Sequence, residues 1–324
     1  MVKVLMLSKW HVHQEGYAND VNKQPDARVT CVWDTDHKRG QEWAARLGVP
    51  FEGDLNKALS RSDVDGVVVG TPTTAHRDVI IAAAKHGKHI FTEKALAATM
   101  EDCHAIADAV EKSGVKFVIS HPQITSPFSQ LCKQAIEEGW LGQIHYMRMR
   151  TAHDGSSAGW LPDYWYKAED AGGGAMMDLG CHPMYTAAYL LGKPVRITSM
   201  FNNSFAKNGV DDNAVSVAEF ENKALAVLET SFISPYQANC FELLGTEGAI
   251  VQVDGKVRIH AKRFGDGWFT PDKLPQALPM PLRMWIDAIE KGTPIVFDMK
   301  RALALTELLE NAYKADREQK IVKI

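Results

Sequence analysis

The sequence predicts two domains: an α/β N-terminal Rossmann domain with a doubly wound parallel sheet, and an α+β C-terminal domain with an open, mainly antiparallel mixed sheet. In the first 120 residues, short apolar runs alternate with helical patterns, as in a parallel sheet with crossover helices. Beyond residue 121, strand candidates follow one another without long helices, which is typical of antiparallel or mixed sheets. The length of 324 residues fits two domains, which we place at 1–121 and 122–324.

The first domain contains apolar runs that are expected as strands buried on both faces. They are Val2–Leu7, Arg28–Trp33, Val64–Val69, His89–Thr92 and Lys116–Ser120, the last two as its fifth and sixth strands. Helical patterns are His13–Asn22, His37–Leu47, Leu55–Leu59, His76–His86 and Met100–Ser113. Gly48 and Gly87 follow two of these helices directly and are expected to end them.

The second domain is expected to mix helices with a run of strands. A helix at Pro127–Glu138 and a strand at Ile144–Ala152 precede a loop rich in Gly, Ser, Trp and Tyr at Asp154–Asp170. One apolar helix is expected over Ala175–Leu191. The remaining elements are strands at Ala214–Glu219, Leu225–Phe232 and Phe241–Leu244, and closing helices at Met284–Lys291 and Lys300–Asp316.

Composition excludes several classes of protein. The formal net charge of -4 argues against nucleic acid as a partner, and no apolar run approaches the roughly 20 residues that span a bilayer. Five scattered cysteines without a C-x-x-C pair indicate neither a disulfide framework nor a thiolate zinc site, so the cytoplasm is the expected compartment. The pairs His11/His13 and His86/His89 have no carboxylate at a completing spacing, so no metal site is expected.

The turn after the first strand departs from the usual dinucleotide-binding pattern. A Rossmann fold carries G-x-G-x-x-G there, whose glycines let the backbone approach a pyrophosphate. This chain has Ser8-Lys9-Trp10-His11-Val12-His13, with Trp10 where a side chain would crowd the phosphates. Lys9, His11 and His13 offer positive charge beside the helix dipole. Either a cofactor binds differently here or the chain binds none.

Two residues that follow strands of the first domain have candidate roles, because ligands of open parallel sheets bind at the carboxyl ends of the strands. Asp34 ends the second strand, where a carboxylate accepts ribose hydroxyls and repels a 2′-phosphate, which favours NAD over NADP; alternatively it caps the next turn. Lys94 lies just past the strand that ends at Thr92, where an ammonium can stabilise an alkoxide. The alternative is that Glu93 and Lys94 form a solvated surface pair.

The segment from Gly172 to His182 combines three consecutive glycines with two ionisable residues. The glycines permit close backbone approach before a helix. Asp178 and His182 are four residues apart, which predicts that they share one face of that helix. Burying both groups in an apolar helix is costly unless they serve each other or a ligand. A histidine near a carboxylate suits proton transfer near neutral pH.

Taken in order, these segments resemble the glucose–fructose oxidoreductase / inositol dehydrogenase / MocA family. The matching segments are Asp34, Val67-Val-Val-Gly-Thr-Pro72 with His76, Gly87-Lys-His-Ile-Phe-Thr-Glu-Lys94, Gly172-Gly-Gly-x-x-x-Asp178-x-Gly-x-His182 and Gly245-Thr-Glu-Gly248. The resemblance covers nearly the whole chain. It implies NAD(P)-dependent oxidation or reduction of carbinols in sugars, inositols and related polyols, and a homodimer or homotetramer formed through the second sheet.

The resemblance also implies roles for individual residues. Lys94 would contact substrate and nicotinamide ribose, Asp178 would be the acid, and His182 would transfer the proton. Cofactor contacts would come from Thr71, Pro72, His76 and Glu93. Further cofactor contacts are expected from the turn after the first strand and from the end of the second strand: Ser8, Lys9, Trp10, His11, His13 and Asp34. Substrate contacts are expected from Gln123, His153 and Trp165, besides Lys94, Asp178 and His182. Trp160, Tyr164 and Trp165 either stack on a sugar face or pack beneath the loop.

Several positions depart from the family pattern. The glycine fingerprint is missing, and Ala95 replaces a motif proline, which leaves the backbone at Lys94 less constrained. Tyr185 stands where a second aspartate is frequent. His121-Pro122-Gln123-Ile124 replaces the usual Asn and Arg, so an unusual substrate pocket is expected.

The sequence supports one mechanism and two alternatives. We hypothesise that His182 takes a proton from a substrate hydroxyl while hydride leaves to C4 of the nicotinamide, that Lys94 holds the same oxygen, and that Asp178 orients a neighbouring hydroxyl or His182. One alternative is an enzyme that holds NAD tightly and cleaves or eliminates at a glycoside by transient oxidation. The other is a non-catalytic relative that senses a sugar or cofactor.

Overall fold

A computed structural model describes residues 1–205, 209–236 and 239–324. The chain divides into two compact units. The first comprises Met1–Ser120 and Pro279–Leu303, and the second His121–Leu278 and Ala304–Ile324. A single boundary after residue 121 is therefore incomplete, because residues 279–303 return to the first unit. The sequence missed this return because an amphipathic helix does not reveal which core it covers.

The described residues contain thirteen strands and eleven α-helices. The strands are β1 (Val2–Leu7), β2 (Ala27–Trp33), β3 (Gly66–Val69), β4 (His89–Thr92), β5 (Phe117–Ile119), β6 (Ile144–Ala152), β7 (Pro194–Asn202), β8 (Asn213–Phe220), β9 (Leu225–Ser231), β10 (Asn239–Gly245), β11 (Gly248–Val253), β12 (Lys256–Ala261) and β13 (Val322–Lys323). The helices are α1 (Gln14–Lys23), α2 (His37–Leu47), α3 (Leu55–Leu59), α4 (His76–Lys85), α5 (Met100–Ser113), α6 (Pro127–Glu137), α7 (Ala168–Ala171), α8 (Ala175–Asp178), α9 (Cys181–Leu191), α10 (Pro281–Lys291) and α11 (Met299–Glu318).

The first unit is built on a parallel sheet with strand order β2-β1-β3-β4-β5. Its central strands are buried on both faces, which explains why the sequence shows them as continuous apolar runs. The Rossmann-type fold is confirmed. The sheet has five strands, which correspond to the five predicted runs, so the numbering of the last two as fifth and sixth strands is wrong.

Capping residues fix where the helices of this unit begin and end. The side chains of Asp36, Asp54 and Thr99 accept backbone N–H bonds from the first turns of α2, α3 and α5. Each such cap contributes about 1 kcal/mol. Gly48 ends α2 in the left-handed conformation, as its position after the helical pattern predicts.

Two side chains of helix α10, one aromatic and one charged, pack it against the rest of the first unit. The ring of Trp285 lies against Phe91 and against Gly66, where an added Cβ would come within 2.6 Å of the indole. The guanidinium of Arg283 donates to both carboxylate oxygens of Asp26, at 2.7 and 2.8 Å. This helix therefore completes the core under β3 and β4.

The second unit is built on an eight-stranded sheet of order β12-β11-β10-β6-β9-β8-β7-β13. Strands β6 and β9 pair in parallel, and the other neighbours pair antiparallel. The mainly antiparallel mixed sheet predicted from the sequence is confirmed. Helix α9 packs on β6 and β9.

The apolar helix predicted over Ala175–Leu191 is two helices. Helix α8 ends at Asp178 and α9 begins at Cys181, with Leu179 and Gly180 between them. The prediction that Asp178 and His182 share one face of a continuous helix is therefore wrong. Gly180 approaches the preceding helix so closely that a Cβ would lie 2.6 Å from the backbone oxygen of Met176, so a glycine is needed where the chain turns.

Within the three described ranges, we find no helix with the length and apolar character that a membrane span requires.

Candidate active site

The turn after β1 keeps a glycine-like backbone without a glycine. Ser8 has φ +69°, in the left-handed region that glycine adopts most easily. Its hydroxyl accepts the N–H of Trp10 at 3.1 Å and donates to Asp34 at 3.2 Å. The indole of Trp10 is buried rather than exposed at the turn. Side-chain hydrogen bonds thus stabilise a conformation that glycine usually provides.

Asp34 lies just after β2, as predicted. Its side chain is fully buried and accepts several hydrogen bonds. Arg39 donates to its Oδ2 from Nε at 2.9 Å and to its Oδ1 from a terminal nitrogen at 2.5 Å. The backbone N–H groups of Lys9 and Asp36 donate at 2.8 and 3.0 Å. Asp34 therefore ties the turn after β1 to the start of α2, whose N-cap is Asp36. Arg39 is a residue that the sequence reading missed.

The remaining charges of the turn are matched locally. The ammonium of Lys9 pairs with Glu15 at 3.2 Å and lies over the ring of Trp43. The imidazoles of His11 and His13 contact each other, with ring centroids 4.7 Å apart. His13 is about half exposed, whereas His11 is buried.

Glu93 and Lys94 are buried, so they are not a solvated surface pair. Oε1 of Glu93 lies 2.9 Å from Nδ1 of His13 and accepts the hydroxyl of Tyr17 at 2.5 Å. Oε2 accepts the backbone N–H of Lys94 at 3.1 Å. Burial raises the pKa of Glu93, but the attraction of His11, His13 and Lys94 outweighs it and holds that pKa well below its ordinary value.

His76 connects two loops instead of presenting an open ring. Its Nε2 lies 3.2 Å from the carbonyl of Thr71, and its Nδ1 lies 3.1 Å from the carbonyls of Ala95 and Leu96. Burial lowers the pKa of His76, although these carbonyl contacts oppose the shift. His76 thus lies between the loop that begins with Thr71-Pro72 and the chain that follows Lys94.

Two buried polar groups at the same edge of the first sheet lack hydrogen-bond partners among the described residues. They are the hydroxyl of Thr71 and the side-chain amide of Gln14. Gln14 lies against Gly70, where a Cβ would come within 2.0 Å of the amide nitrogen. Buried polar groups of this kind usually bond to a ligand or water.

In the second unit, His182 is held by a tyrosine. Its Nδ1 lies 2.7 Å from the hydroxyl of Tyr185, which also accepts the backbone N–H of Gln123 at 3.3 Å. His121 stacks on the Tyr185 ring, with centroids 4.3 Å apart. The hydroxyl of Tyr185 is thus placed to orient the imidazole of His182.

The glycine turn before Asp178 is held by two residues that the sequence reading missed. Oδ1 of the partly buried Asp211 accepts the N–H of Gly174 at 3.0 Å and the hydroxyl of Tyr313 at 2.8 Å, and Oδ2 accepts the N–H of Met176 at 2.7 Å. Burial raises the pKa of Asp211, while these donors lower it. Because Asp211 and Tyr313 lie 37 and 139 residues from Gly174 in the sequence, no local motif indicated them.

The predicted substrate residues of the second unit differ in accessibility. Trp165 is buried, which favours packing over sugar stacking, whereas Trp160 is 54% exposed. His153 stacks on Phe232 at 5.2 Å and accepts the N–H of Gly155 through Nδ1. The side-chain oxygen of Gln123 is buried and has no hydrogen-bond partner among the described residues.

The chain thus combines a parallel Rossmann-type unit with a mixed-sheet unit that holds an oriented histidine. Residues 12–121 match the family model described as oxidoreductase family, NAD-binding Rossmann fold. Residues 129–251 match the GFO/IDH/MocA C-terminal domain model. The chain belongs to the glucose–fructose oxidoreductase / inositol dehydrogenase / MocA family, and it is an oxidoreductase with an NAD-binding domain.

Curated relatives agree with this membership, and a solved structure shares the fold. The chain is 30% identical over 301 residues to a scyllo-inositol 2-dehydrogenase (NAD(+)) of Bacillus subtilis, covering 89% of this chain and 86% of that protein. It is 29% identical over 238 residues to a 2,7-anhydro-N-acetylneuraminate hydratase of Escherichia coli, covering 72% and 63%. A levoglucosan dehydrogenase solved with NADH and levoglucosan shares the fold with a TM-score of 0.86 at 21% identity, covering 100% and 99%.

Proposed function

We propose that this enzyme transfers a hydride between the nicotinamide of NAD and a hydroxyl-bearing carbon of a sugar, an inositol or a close derivative. The names of the similar dehydrogenases support this class of substrate. The observation that carries the chemistry is the 2.7 Å contact between His182 and Tyr185, anchored by Gln123. It fixes an imidazole in one orientation, as a proton-transfer group requires.

Several residues of the first unit fit a dinucleotide. The hydroxyl of Thr71 and the amide of Gln14 are buried polar groups without partners among the described residues, and Ser8 keeps the turn in its glycine-like conformation. We propose that these residues, with Pro72 and the backbone of the turn at Trp10, hold NAD. When bound, NAD supplies the hydride acceptor at C4 of its nicotinamide.

The preference for NAD over NADP is a proposal that depends on two residues. Asp34 would repel a 2′-phosphate, but Arg39 neutralises its charge and remains 28% exposed. We propose that the pair discriminates less than an isolated carboxylate would. A comparison of NADH and NADPH affinities tests this: we expect tighter binding of NADH, and equal or weaker binding of NADH would refute the preference.

His182 is proposed as the proton acceptor during oxidation. We assign the tautomer in which Nδ1–H donates to the hydroxyl oxygen of Tyr185, so that Nε2 takes the proton from the substrate hydroxyl. The imidazolium that forms is then stabilised through the same contact. In the reductive direction, Nε2 returns the proton.

Lys94 and Asp178 complete the proposed chemistry. The ammonium of Lys94 holds the substrate oxygen and stabilises its developing negative charge. Asp178 orients a neighbouring hydroxyl, and Gln123 offers its side-chain oxygen to another. His153 is a further proposed contact to the substrate.

A second version of the chemistry is favoured by the similarity to a hydratase of an anhydro sugar. In that version the enzyme retains its NAD, oxidises the sugar transiently, eliminates or adds at a glycosidic carbon, and reduces it again. Purified enzyme would then carry stoichiometric NAD and release no net NADH. Release of NADH in proportion to oxidised product would exclude it.

A panel of inositols, sugars and anhydro sugars with NAD tests the main proposal. We expect NADH formation with at least one of them, and no turnover across the panel in either direction would refute it. Lys94→Ala and His182→Ala should lower kcat by at least about 100-fold, in the range for lost acid–base or electrostatic catalysis. The exposed Lys85→Ala and His104→Ala are matched controls that should keep wild-type rates. Rates within a few-fold of wild type in the first pair would remove those residues from the chemistry.

Assembly and location are also proposals. We propose a homodimer or homotetramer, which sedimentation analysis would establish, and a cytoplasmic location.

A further inference from the structure

We propose that His11, His13 and Glu93 form a binding site for a divalent transition-metal ion of the zinc type. The proposal goes beyond the proposed oxidoreductase function and does not depend on it. No metal site was expected from the His11/His13 pair, because the carboxylate lies 80 residues beyond His13 in the sequence. The fold brings the three residues together at the carboxyl ends of β1 and β4.

The spacing of the donor atoms fits a tetrahedral ion. One ligand atom from each residue lies within 4.8 Å of the other two. Nδ1 of His13 and Nδ1 of His11 are 2.9 and 3.8 Å from Oε1 of Glu93. An ion at about 2.0–2.2 Å from each ligand would hold its ligands roughly 3.3–3.6 Å apart, and the two measured distances to Oε1 lie within about half an ångström of that range.

The ligand set suits zinc or a related ion. Two imidazoles and one carboxylate form the ligand set of several open zinc sites, in which the fourth position is left for water or substrate. His13 is 53% exposed, so one ligand of the site borders the solvent. Nδ1 of His11 accepts the backbone N–H of His13 at 3.2 Å, so this nitrogen is unprotonated, as a metal ligand must be. Binding of the metal ion to Nδ1 would replace this long hydrogen bond.

Outer contacts hold the carboxylate in place. Tyr17 donates to Oε1 of Glu93 and also contacts Ser120 at 2.8 Å, and the N–H of Lys94 donates to Oε2. Partners of this kind orient ligands and raise metal affinity. A dication with one carboxylate and two neutral imidazoles has a net charge of +1, so the ion would convert a negatively charged buried group into a positive centre.

Titration of tag-free, chelator-treated enzyme with ZnCl₂ or CoCl₂, in the absence of cofactor, tests the proposal. We expect one ion per chain by calorimetry, and a cobalt absorption spectrum of the intense, low-coordinate type. His13→Ala, whose side chain is at the surface, should weaken binding by at least about tenfold. Glu93→Gln, which keeps the shape of the side chain, should do the same.

His104→Ala is the matched control, because its exposed imidazole lies on α5 outside the cluster. It should bind the metal with wild-type stoichiometry and affinity, and circular dichroism should show that all variants are folded. Absence of binding to the wild-type enzyme would overturn the proposal. Equal affinity of the wild type and folded His13→Ala would also overturn it, since the ion would then bind elsewhere.

Discussion

Tyr185→Phe removes the hydroxyl that orients His182 and leaves the aromatic ring in place. In the neutral state the contact between His182 and Tyr185 is an ordinary hydrogen bond, which contributes about 1 kcal/mol. When His182 becomes an imidazolium, the same bond is charge-assisted and contributes roughly 1.5–3 kcal/mol. The difference of about 1.4 kcal/mol favours the transition state, so kcat/KM for oxidation should fall about tenfold.

Steady-state kinetics with a substrate found in the panel would measure this effect. We expect the loss in kcat rather than in KM, because the stabilisation differs between the ground state and the transition state. The N–H of Gln123 also loses its acceptor, so the variant should melt at a lower temperature, and the assay must run well below that temperature. Tyr189→Phe removes a hydroxyl from the same helix and should keep wild-type kinetics. If folded Tyr185→Phe has a kcat within twofold of wild type, the assigned role of Tyr185 is refuted.

Three further predictions concern stability. Ser8→Gly should be more stable than Ser8→Ala by about 1 kcal/mol in urea unfolding, because both lose the hydroxyl but only glycine relieves the φ of +69°. Gly174→Ala should cost about 3 kcal/mol and lower the melting temperature, because a Cβ would lie 2.1 Å from the carbonyl oxygen of Asp211. Arg283→Met should lower the melting temperature at pH 7, and the deficit should shrink below about pH 4, because the hydrogen bond from Arg283 holds the pKa of Asp26 below its ordinary value.

The sign of the pH effect follows from the depressed pKa of Asp26. A carboxyl of this kind stabilises the fold above its unfolded-state pKa and loses that contribution as pH falls through its folded-state pKa. A deficit in Arg283→Met that does not change with pH would contradict the ionic role.

Gly16→Ala has no atom within 4 Å of the added carbon and is the control for Gly174→Ala. Equal stability of Gly174→Ala and Gly16→Ala would contradict the prediction for Gly174. Equal stability of Ser8→Gly and Ser8→Ala would contradict the prediction for Ser8.

Local patterns were sufficient for most of the fold. The strands of the first unit are buried on both faces and the helices carry caps, and both leave signals within a few neighbouring residues. The division of Ala175–Leu191 into α8 and α9 left no such signal, because Leu179 and Gly180 fit an apolar helical pattern. The break depends on packing against Met176, which periodicity does not show.

The candidate site was predictable only where it depends on short motifs. Lys94 and His182 could be selected because each stands in a recognisable segment. Their surroundings could not, because Glu93 meets His13 across 80 residues and Asp211 meets Tyr313 across 102. Arg39 is only five residues from Asp34 in sequence, yet only the geometry shows that its guanidinium donates to both oxygens of the Asp34 carboxylate.

The central claim is direct hydride transfer between a substrate carbon and the nicotinamide, and isotope transfer measures it. The enzyme would be incubated with NAD and an active polyol that carries deuterium on its hydroxyl-bearing carbons, and the NADH would be examined by mass spectrometry. We predict that the deuterium appears in the NADH and that the label is lost from the oxidised carbon of the product. NADH formed without label would contradict the account.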